Sequence, residues 1–442
     1  MTAAPLVEIA DVSVFELDSK LLDAGIETPV SGDESATHAF GLRGWALGAG
    51  APVRSVELVQ PGVRRHRVAL DVQRPDLAVA HPRVDWAETS GFEAQISSLR
   101  LPAEFRLSLE AVLAGGERAA IGNIRGRRSE LRSAFEPRLN PLLVTTLGRT
   151  GATLLMQLLH VHPEIVVYRP FEHEPRALGY WLDVLTTLAD PESYKRQLIP
   201  PIERKEGWWL GTERPFVGRA IPDAEIERWV GVGAIEATAE FCQRQVEAVY
   251  EHIAELSAGK PSYFAEKYGP GWLPAFASEL YPAAREVIVV RDFRDVLCSI
   301  LAFNSKRGFD SFGRQRVQTD EEFVAFLGRR IGNLLEAWRD RRAAAHLVRY
   351  EDLVLRPAET LDRLLAYLGL ERGEKTITSM LGTLSQTSSR MEMHRTTPDP
   401  EASIGRWRRD LDPQLRKVSE ETFRPALEEF GYLSEPAAAG TR

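Results

Sequence analysis

The spacing of hydrophobic residues changes near residue 142, and this change predicts two domains of different architecture. Between residues 40 and 124, short runs of alternating apolar and polar residues are separated by Gly, Pro and Asp clusters. Period-two runs with turn signals at this spacing favour an antiparallel β-sandwich of roughly one hundred residues. The apolar members of these runs form the predicted core: Trp45, Val56, Leu58, Val68, Leu70, Phe92, Phe105, Leu107 and Leu109.

From residue 142 onward, strand-like runs such as EVIVV alternate with long amphipathic stretches such as EFVAFLGRRIGNLLEAWRDRR. This order is typical of a parallel sheet flanked by helices. The charge-rich stretch RGRRSELR, residues 125–132, indicates the connection between the two domains. We therefore predict an all-β sandwich over residues 1–132 and an α/β domain over residues 133–442.

Composition and charge exclude several classes of protein. The chain has 442 residues and a formal net charge of −8, which disfavours a nucleic-acid-binding surface. Its two cysteines, Cys242 and Cys298, show neither zinc-site spacing nor a disulfide framework. The N-terminus lacks a basic, apolar leader, and no later stretch is apolar for long enough to span a bilayer. We therefore expect a soluble, cytoplasmic protein, and the sequence leaves the oligomeric state open.

The stretch LGRTGATLLMQLLHVHP, residues 147–163, follows the β-branched run LLVTTL and predicts a strand, a tight turn and a helix. The unpaired N–H groups at such a helix start, together with small residues in the turn, suit a phosphate or sulfate group. An ordinary turn between a strand and a helix would look the same. A nucleoside-triphosphate loop would need a lysine after the second glycine, and none follows Gly151, which weakens the assignment as a kinase or ATPase.

The order G-R-T-G-A-T-L over residues 148–154 resembles the 5′-phosphosulfate loop of sulfotransferases that use 3′-phosphoadenosine 5′-phosphosulfate (PAPS). The resemblance implies that this loop binds the donor through Arg149, Thr150, Gly151, Ala152 and Thr153. Ala152 stands where the family commonly has a hydroxyl residue. One side-chain hydrogen bond to the donor is therefore lost there, while the backbone N–H remains.

The stretch RDFRDVLCS, residues 291–299, directly follows EVIVV and is similar to the 3′-phosphate motif of the same family. The resemblance implies that Arg291 and Ser299 hold the 3′-phosphate. Arginine supplies a charged fork for a phosphate, and serine adds a short donor. Taken alone, a solvated charge cluster at a strand–helix junction would be the simpler explanation. The presence of both motifs in the family's order favours the phosphate site.

Three shorter stretches also resemble the family and occur in its order. In YFAEKY, the resemblance implies that Lys267 reaches the transferring sulfuryl group. In VRYEDL, it implies that Tyr350 lies near the nucleotide. In SIGRWRR, it implies that Gly405, Arg406 and Trp407 close over the adenosine and the 3′-phosphate.

Together, the resemblances imply a PAPS-dependent sulfotransferase with a P-loop-like fold. Arg149 and Lys267 would stabilise the developing charge without a metal ion, by analogy with phosphoryl transfer. Members of the family with an HP element, here His162–Pro163, often place a catalytic glutamate after the second strand, and Glu172 matches by position. His173 is the alternative base, because the cytosolic small-molecule sulfotransferases use histidine. A merely solvated charged loop is the third explanation.

The expected acceptor is a hydroxyl group on a sugar, a glycolipid or another metabolite. Its pocket would have walls from residues 181–273, where WWLG, WVGVG and GWL are rich in aromatic residues, although buried packing explains these pieces equally well. The sandwich would bind the acceptor, mediate oligomerisation or support the second domain. Two alternatives remain: a glycan-binding protein with a sulfotransferase-like domain of little or no activity, and a P-loop small-molecule kinase that uses magnesium and ATP.

Overall fold

The structure is a computed structural model of the chain. It describes residues 4–60, 66–190, 229–255, 260–385, 395–397 and 399–433. The chain divides into two compact units. The first comprises Met1–Glu136 and Gly179–Gln245, and the second comprises Pro137–Leu178 and Val246–Arg442. The boundary expected between residues 132 and 133 stays a prediction.

Nine described strands of the first unit form one antiparallel sheet in the order β2-β4-β7-β6-β5-β8-β9-β1-β3. These strands are β1 Val7–Val14, β2 Leu21–Thr28, β3 Glu34–Ser35, β4 Ala39–Gly48, β5 Val53–Val59, β6 His66–Val72, β7 Gly91–Ser97, β8 Glu104–Leu113 and β9 Arg118–Arg128. The sheet folds over on itself, and its two halves enclose one core in which the rings of Phe40 and Phe105 stack with centroids 6.0 Å apart. This arrangement confirms the predicted all-β sandwich.

The core of the sandwich contains most of the apolar residues that the alternating runs predicted. Leu70 is only partly buried against it, and Trp45 packs elsewhere, in a small second cluster with Leu47 and Leu77. Successive side chains of a strand point to opposite faces, so Trp45 in β4 faces away from Leu42, three residues earlier. The expectation that Trp45 belongs to the main core was therefore wrong.

Part of the charged stretch that indicated a connection between domains belongs to the last strand of the sandwich. Residues 125–128 lie in β9 and pair with β1. Arg125 and Arg127 project from the sheet and form ion pairs with Asp11 and Glu8 on β1, at 2.9 and 2.5 Å. The charges are therefore a matched ladder on an exposed sheet face, which composition alone does not distinguish from a linker.

The second unit contains a five-stranded parallel sheet in the order β11-β12-β10-β13-β14, which confirms the predicted α/β fold. Its strands are β10 Asn140–Thr145, β11 Ile165–Val167, β12 Tyr263–Tyr268, β13 Arg285–Val290 and β14 His346–Arg349. The sequence indicated no strand at β12, because Glu266 and Lys267 interrupt its apolar pattern. Both charged residues are nevertheless buried, and Lys267 lies in register with Val144 of β10.

Helices cover both faces of the parallel sheet. Val287 and Val289 of β13 pack into the core on one face, whereas Ile288 and Val290 pack into the core on the other. The α-helices of the described residues are α1 Pro75–Ala80, α2 Ala152–Leu159, α3 Ala177–Leu188, α4 Ala234–Ala254, α5 Trp272–Leu280, α6 Phe293–Arg307, α7 Asp320–Arg341, α8 Tyr350–Leu355, α9 Pro357–Leu368, α10 Glu374–Leu381, α11 Trp407–Asp410 and α12 Pro413–Glu429. Parallel strands end at a common edge of the sheet, and the turns that follow them meet there.

Candidate active site

The glycine-rich turn between β10 and α2 has a left-handed backbone at three of its residues. Gly148, Arg149 and Gly151 have positive φ angles of 85°, 59° and 87°. A Cβ on Gly151 would lie 2.3 Å from Cδ2 of Tyr350, so only glycine fits there without displacing the tyrosine ring. The turn therefore brings backbone directly against Tyr350 and leads into the first N–H groups of α2.

Arg149 of this turn lies beside the motif that the sequence assigned to a 3′-phosphate. Its Nε donates to Oγ of Ser299 at 3.1 Å, and its guanidinium lies 4.5 Å from the centroid of the Phe303 ring. Burial, in the first place, and the positive charge of Arg291 lower the pKa of Arg149 to about 10. The side chain is still a cation at neutral pH, and the proximity of a second guanidinium favours an anion between them.

Arg291 is held from two sides. Its Nη1 donates to the carbonyl of Arg149 at 3.3 Å, and its Nη2 donates to the carbonyl of Ser403 at 2.5 Å. The guanidinium lies 4.6 Å from the ring centroid of Tyr350. Its Nε is buried and has no hydrogen-bond partner among the described residues. A buried donor of this kind is costly unless a ligand satisfies it.

Lys267 reaches the same cavity from β12. Its side chain is 6% exposed, and its Nζ donates to Oγ1 of Thr153 at 3.2 Å. Oε1 of Glu174 lies 2.9 Å from the same nitrogen. Burial raises the pKa of Glu174, but the charge and hydrogen bond of Lys267, together with Arg176, outweigh it, so that the pKa lies below its ordinary value. The Glu174 carboxylate is therefore ionised at neutral pH.

The two residues considered as a base differ in position. Glu172 is exposed and lines the cavity. The described residues that line the cavity do not include His173, whose Nδ1 lies 2.8 Å from the carbonyl oxygen of Tyr168. Burial lowers the pKa of His173. The geometry thus brings Glu172, and not the imidazole, to the surface of the cavity.

The segment that carries Glu172 and Glu174 is anchored at its far end by Glu266 of β12. This carboxylate accepts hydrogen bonds from the N–H groups of Ala177 and Leu178, at 2.7 and 3.2 Å, where α3 begins. Burial raises the pKa of Glu266, which lies fully inside the unit. Adjacent residues of one strand therefore have separate functions, since Lys267 faces the cavity and Glu266 holds the start of a helix.

The C-terminal segment implicated by the sequence is held by Asp295 of α6. Its two carboxylate oxygens accept hydrogen bonds from the N–H groups of Gly405, at 2.6 Å, and Trp407, at 2.9 Å. Arg406 is buried and donates to Asp410 at 2.6 Å and to Thr396 at 2.9 Å. The described lining of the cavity includes none of Gly405, Arg406 and Trp407.

Trp407 and Thr150 are also engaged within the fold. The Trp407 ring lies 3.8 Å from the guanidinium of Arg294 and 4.4 Å from that of Arg408. Thr150 is buried, and its hydroxyl is hydrogen-bonded to that of Thr146. Both residues belong to stretches that resemble donor-binding motifs. In this structure, however, their side chains contact other residues of the fold.

The cavity has a volume of about 450 Å³ and collects residues from all the other motifs. Of the residues singled out in the sequence, it is lined by Arg149, Gly151, Ala152, Thr153, Glu172, Lys267, Arg291, Ser299 and Tyr350. It is also lined by residues to which the sequence gave no individual role, namely Thr146, Gly148, Leu154, Gln157, Phe171, Glu174, Phe303, Arg307, Ser311, Phe312, Arg395, Thr396, Thr397, Pro400 and Ser403. Helical spacing from Ser299 would have found Phe303 and Arg307, which follow it at intervals of four residues.

The pieces proposed as acceptor walls are only partly described. WWLG lies outside the described residues. Trp229–Gly233, the WVGVG piece, is a short helical turn of the first unit. In GWL, Trp272 begins α5 and lies against Phe276, with ring centroids 5.7 Å apart. The assignment of these pieces to an acceptor pocket stays a prediction.

Residues 141–374 match the family model described as "Sulfotransferase family". This match covers more than half of the chain and includes Arg149, Lys267, Arg291, Ser299 and Tyr350. The chain belongs to the sulfotransferase family. The family match ends before the segment held by Asp295, so the expected role of Gly405, Arg406 and Trp407 stays a prediction.

Solved sulfotransferase structures resemble the chain over about two thirds of its length. They include the sulfotransferase domain from the curacin biosynthetic pathway, with 16% identity, 67% of this chain and 99% of that chain covered, and a TM-score of 0.39. Sulfotransferase STF9 from Mycobacterium avium has 18% identity, 67% and 78% coverage, and a TM-score of 0.34. Mouse sulfotransferase SULT7A1, complexed with PAP, has 12% identity, 68% and 89% coverage, and a TM-score of 0.33. At these low scores, no residue role is taken from them.

No protein with a curated description matches this sulfotransferase. No helix in the described part of the chain is long and apolar enough to cross a membrane. Within the same residues, no three His, Cys, Asp or Glu side chains are grouped as a metal site would require.

Proposed function

We propose that this sulfotransferase transfers the sulfuryl group of PAPS to an acceptor hydroxyl. The observation that carries the proposal is that three cationic side chains, those of Arg149, Lys267 and Arg291, line one cavity. Three cations around one cavity suit a ligand with several negative charges. A nucleotide with a phosphate at one end and a phosphosulfate at the other has this character.

The donor would be held along the cavity by groups that are already oriented. The turn at residues 148–153 and Lys267 would bind the 5′-phosphosulfate, through backbone N–H groups and one ammonium group. Arg291 and Ser299 would bind the 3′-phosphate, and the Tyr350 ring, packed on Gly151, would lie beside the nucleotide. Because these groups are fixed by the fold, little reorganisation is required when the donor binds.

Glu172 is the proposed general base. In the transfer, the acceptor oxygen forms a bond to sulfur, the bond between sulfur and the bridging phosphate oxygen breaks, and the acceptor proton passes to the Glu172 carboxylate. Arg149 and Lys267 would stabilise the negative charge that develops on the leaving phosphate and the sulfonate oxygens. His173 remains the second candidate, but its Nδ1 is engaged with the Tyr168 carbonyl.

Ala152 stands where the family commonly has a hydroxyl residue. This difference does not by itself favour a binding protein without activity. Thr153, the next residue, accepts a hydrogen bond from Lys267, so a hydroxyl group still orients the ammonium group at this end of the cavity. Ala152 contributes its backbone N–H at the start of α2. The proposed acceptor is still a sugar, a glycolipid or another metabolite. The proposed catalytic domain is residues 133–442, and residues 1–132 form the proposed accessory domain.

Calorimetric titration of the purified protein with adenosine 3′,5′-bisphosphate (PAP), in the absence of metal, tests the donor. We expect one site, and we expect Arg291→Gln to weaken binding at least about tenfold, because a charge-assisted bond to phosphate is lost. Arg329→Gln, in an exposed arginine that packs on Phe326, is the matched control. Binding of ATP with magnesium, and not of PAP, would instead favour a small-molecule kinase activity.

A further inference from the structure

One face of helix α6 extends from the proposed nucleotide site to a part of the cavity that the donor does not explain. Ser299, Phe303 and Arg307 follow one another at intervals of four residues, and all three line the cavity. Asp295 holds the C-terminal segment, and Ser299 binds Arg149. Arg307 lies about 12 Å beyond Ser299 along the helix axis, at 1.5 Å per residue.

Described residues of the C-terminal segment lie beside both ends of this helix. Lys306, at the end of α6, donates to the carbonyl of Arg395 at 2.9 Å, and Arg291, before its start, donates to the carbonyl of Ser403. These contacts place Arg395 near the last turn of α6 and Ser403 near its first turn, so the cavity between them has two ends. Arg291 and Ser403 lie at the end proposed for the nucleotide, and Arg307 and Arg395 lie at the opposite end.

Arg307 packs against two aromatic rings near the C-terminal end of α6. Its guanidinium lies 4.3 Å from the ring centroid of Phe309 and 5.1 Å from that of Phe303. Contacts of this kind fix a guanidinium without neutralising its charge.

In the part of the chain that the structure describes, neither arginine at this end is matched by an acid. Among the residues that the structure describes, the guanidinium groups of Arg307 and Arg395 form no ion pair and no hydrogen bond, and both side chains line the cavity. The acidic residues in the described lining are Glu172, proposed as the base, and Glu174, which is paired with Lys267. Two unneutralised cations in one concave site favour an anionic ligand group.

We propose that the acceptor is an anion, and that Arg307 and Arg395 bind its carboxylate, phosphate ester or sulfate ester while its hydroxyl group faces Glu172. This inference rests on the proposed function, because it assigns the remaining end of the cavity once the donor occupies the other. It narrows the acceptor class from any sugar, lipid or metabolite to those that carry a negative charge.

Calorimetry on the protein saturated with PAP tests this site directly. Sodium sulfate, phosphate and acetate are titrated separately at constant ionic strength, and the tightest of the three identifies the kind of anionic group. We expect one site for at least one anion, and binding at least about tenfold weaker in Arg307→Gln, since a charged hydrogen-bonding partner is lost. Arg329→Gln, with its cation on Phe326 outside the cavity, should bind as the wild type does.

Two results on the anions would overturn the proposed site: no anion binding to the PAP complex, or equal anion binding in Arg307→Gln and the wild type. Weaker PAP binding in Arg307→Gln would also overturn it, because Arg307 would then belong to the nucleotide site. If the wild type does not bind PAP, the proposed function fails, and the same titrations on the nucleotide-free protein decide the anion site separately. Loss of binding in Arg307→Gln would then support the site, and unchanged binding would refute it.

Discussion

The ammonium group of Lys267 lies 2.9 Å from a carboxylate oxygen of Glu174. The lysine side chain is almost fully buried, whereas that of the glutamate is partly exposed. Before a donor binds, the charge of the proposed catalytic lysine is therefore balanced by the protein itself. A sulfonate or phosphate oxygen that approaches Lys267 meets a cation already oriented by Glu174 and Thr153.

The first prediction concerns this pair. Glu174→Gln leaves the buried ammonium group without an ionic partner, and we expect the free energy of unfolding to fall by about 1–2 kcal/mol, because one partner is partly solvated. Urea denaturation at pH 7 measures the loss. Glu240→Gln, which removes the acid of a surface pair with Arg244, should change stability by less than about 0.5 kcal/mol. Equal losses in the two variants would contradict the role of the buried pair.

The second prediction is a pH dependence from Asp295. Burial is the main cause that raises its pKa from 3.8 to about 6. The folded protein thus holds a proton that the unfolded chain releases, so this group's contribution to stability is present below about pH 4 and is lost as the pH rises to 6. Relative to Asp295→Asn, the wild type should lose about 2 kcal/mol across that window.

Urea denaturation of the wild type and of Asp295→Asn between pH 4 and 7 gives this difference. Asp310→Asn, in the loop after the same helix, controls for the amide substitution itself. A stability difference between wild type and Asp295→Asn that is constant over the whole range would refute the prediction.

The third prediction separates backbone strain from a steric clash. Gly151 and Gly369 both have positive φ angles, of 87° and 69°, but only a Cβ on Gly151 would collide with Tyr350. Gly369→Ala should cost about 1 kcal/mol, from strain alone. Gly151→Ala should cost about 2 kcal/mol more, because the tyrosine ring must move. It should also weaken PAP binding, which Gly369→Ala should not; similar unfolding midpoints and PAP affinities would argue against the packing.

The fourth prediction tests the base. Glu172→Gln should bind PAP as tightly as the wild type but lower kcat about a hundredfold or more, because proton removal from the acceptor is lost. His173→Gln, whose ring is turned to the Tyr168 carbonyl, should lower kcat by less than about tenfold. Transfer of radiolabelled sulfate from PAPS to the first acceptor found by screening measures both. A larger effect in His173→Gln would reverse the assignment.

The sequence predicted the architecture of both units because hydrophobic periodicity is a local property. Alternating runs defined most strands of the sandwich, and the turn after β10 was recognisable from its glycines. The strand β12 was not predicted, since Glu266 and Lys267 break its apolar pattern. Each is stabilised by groups that are distant in sequence: Glu266 by the N–H groups that begin α3, and Lys267 by Thr153 and Glu174.

Motifs could also predict that Arg149, Lys267, Arg291 and Ser299 meet, because parallel strands bring the turns after them to one edge of a sheet. Which side chain of each motif faces the cavity is a different question. Arg406 is turned to Asp410 and Thr396, and Asp295, an unremarked member of its motif, fixes a segment 110 residues away. The sequence by itself determined the residue types and the local elements, since these depend on neighbours along the chain. Only the tertiary structure decided which charges are paired with each other and which, such as Arg307, line the cavity without an ionic partner among the described residues. That depends on distances between segments, which no local pattern encodes.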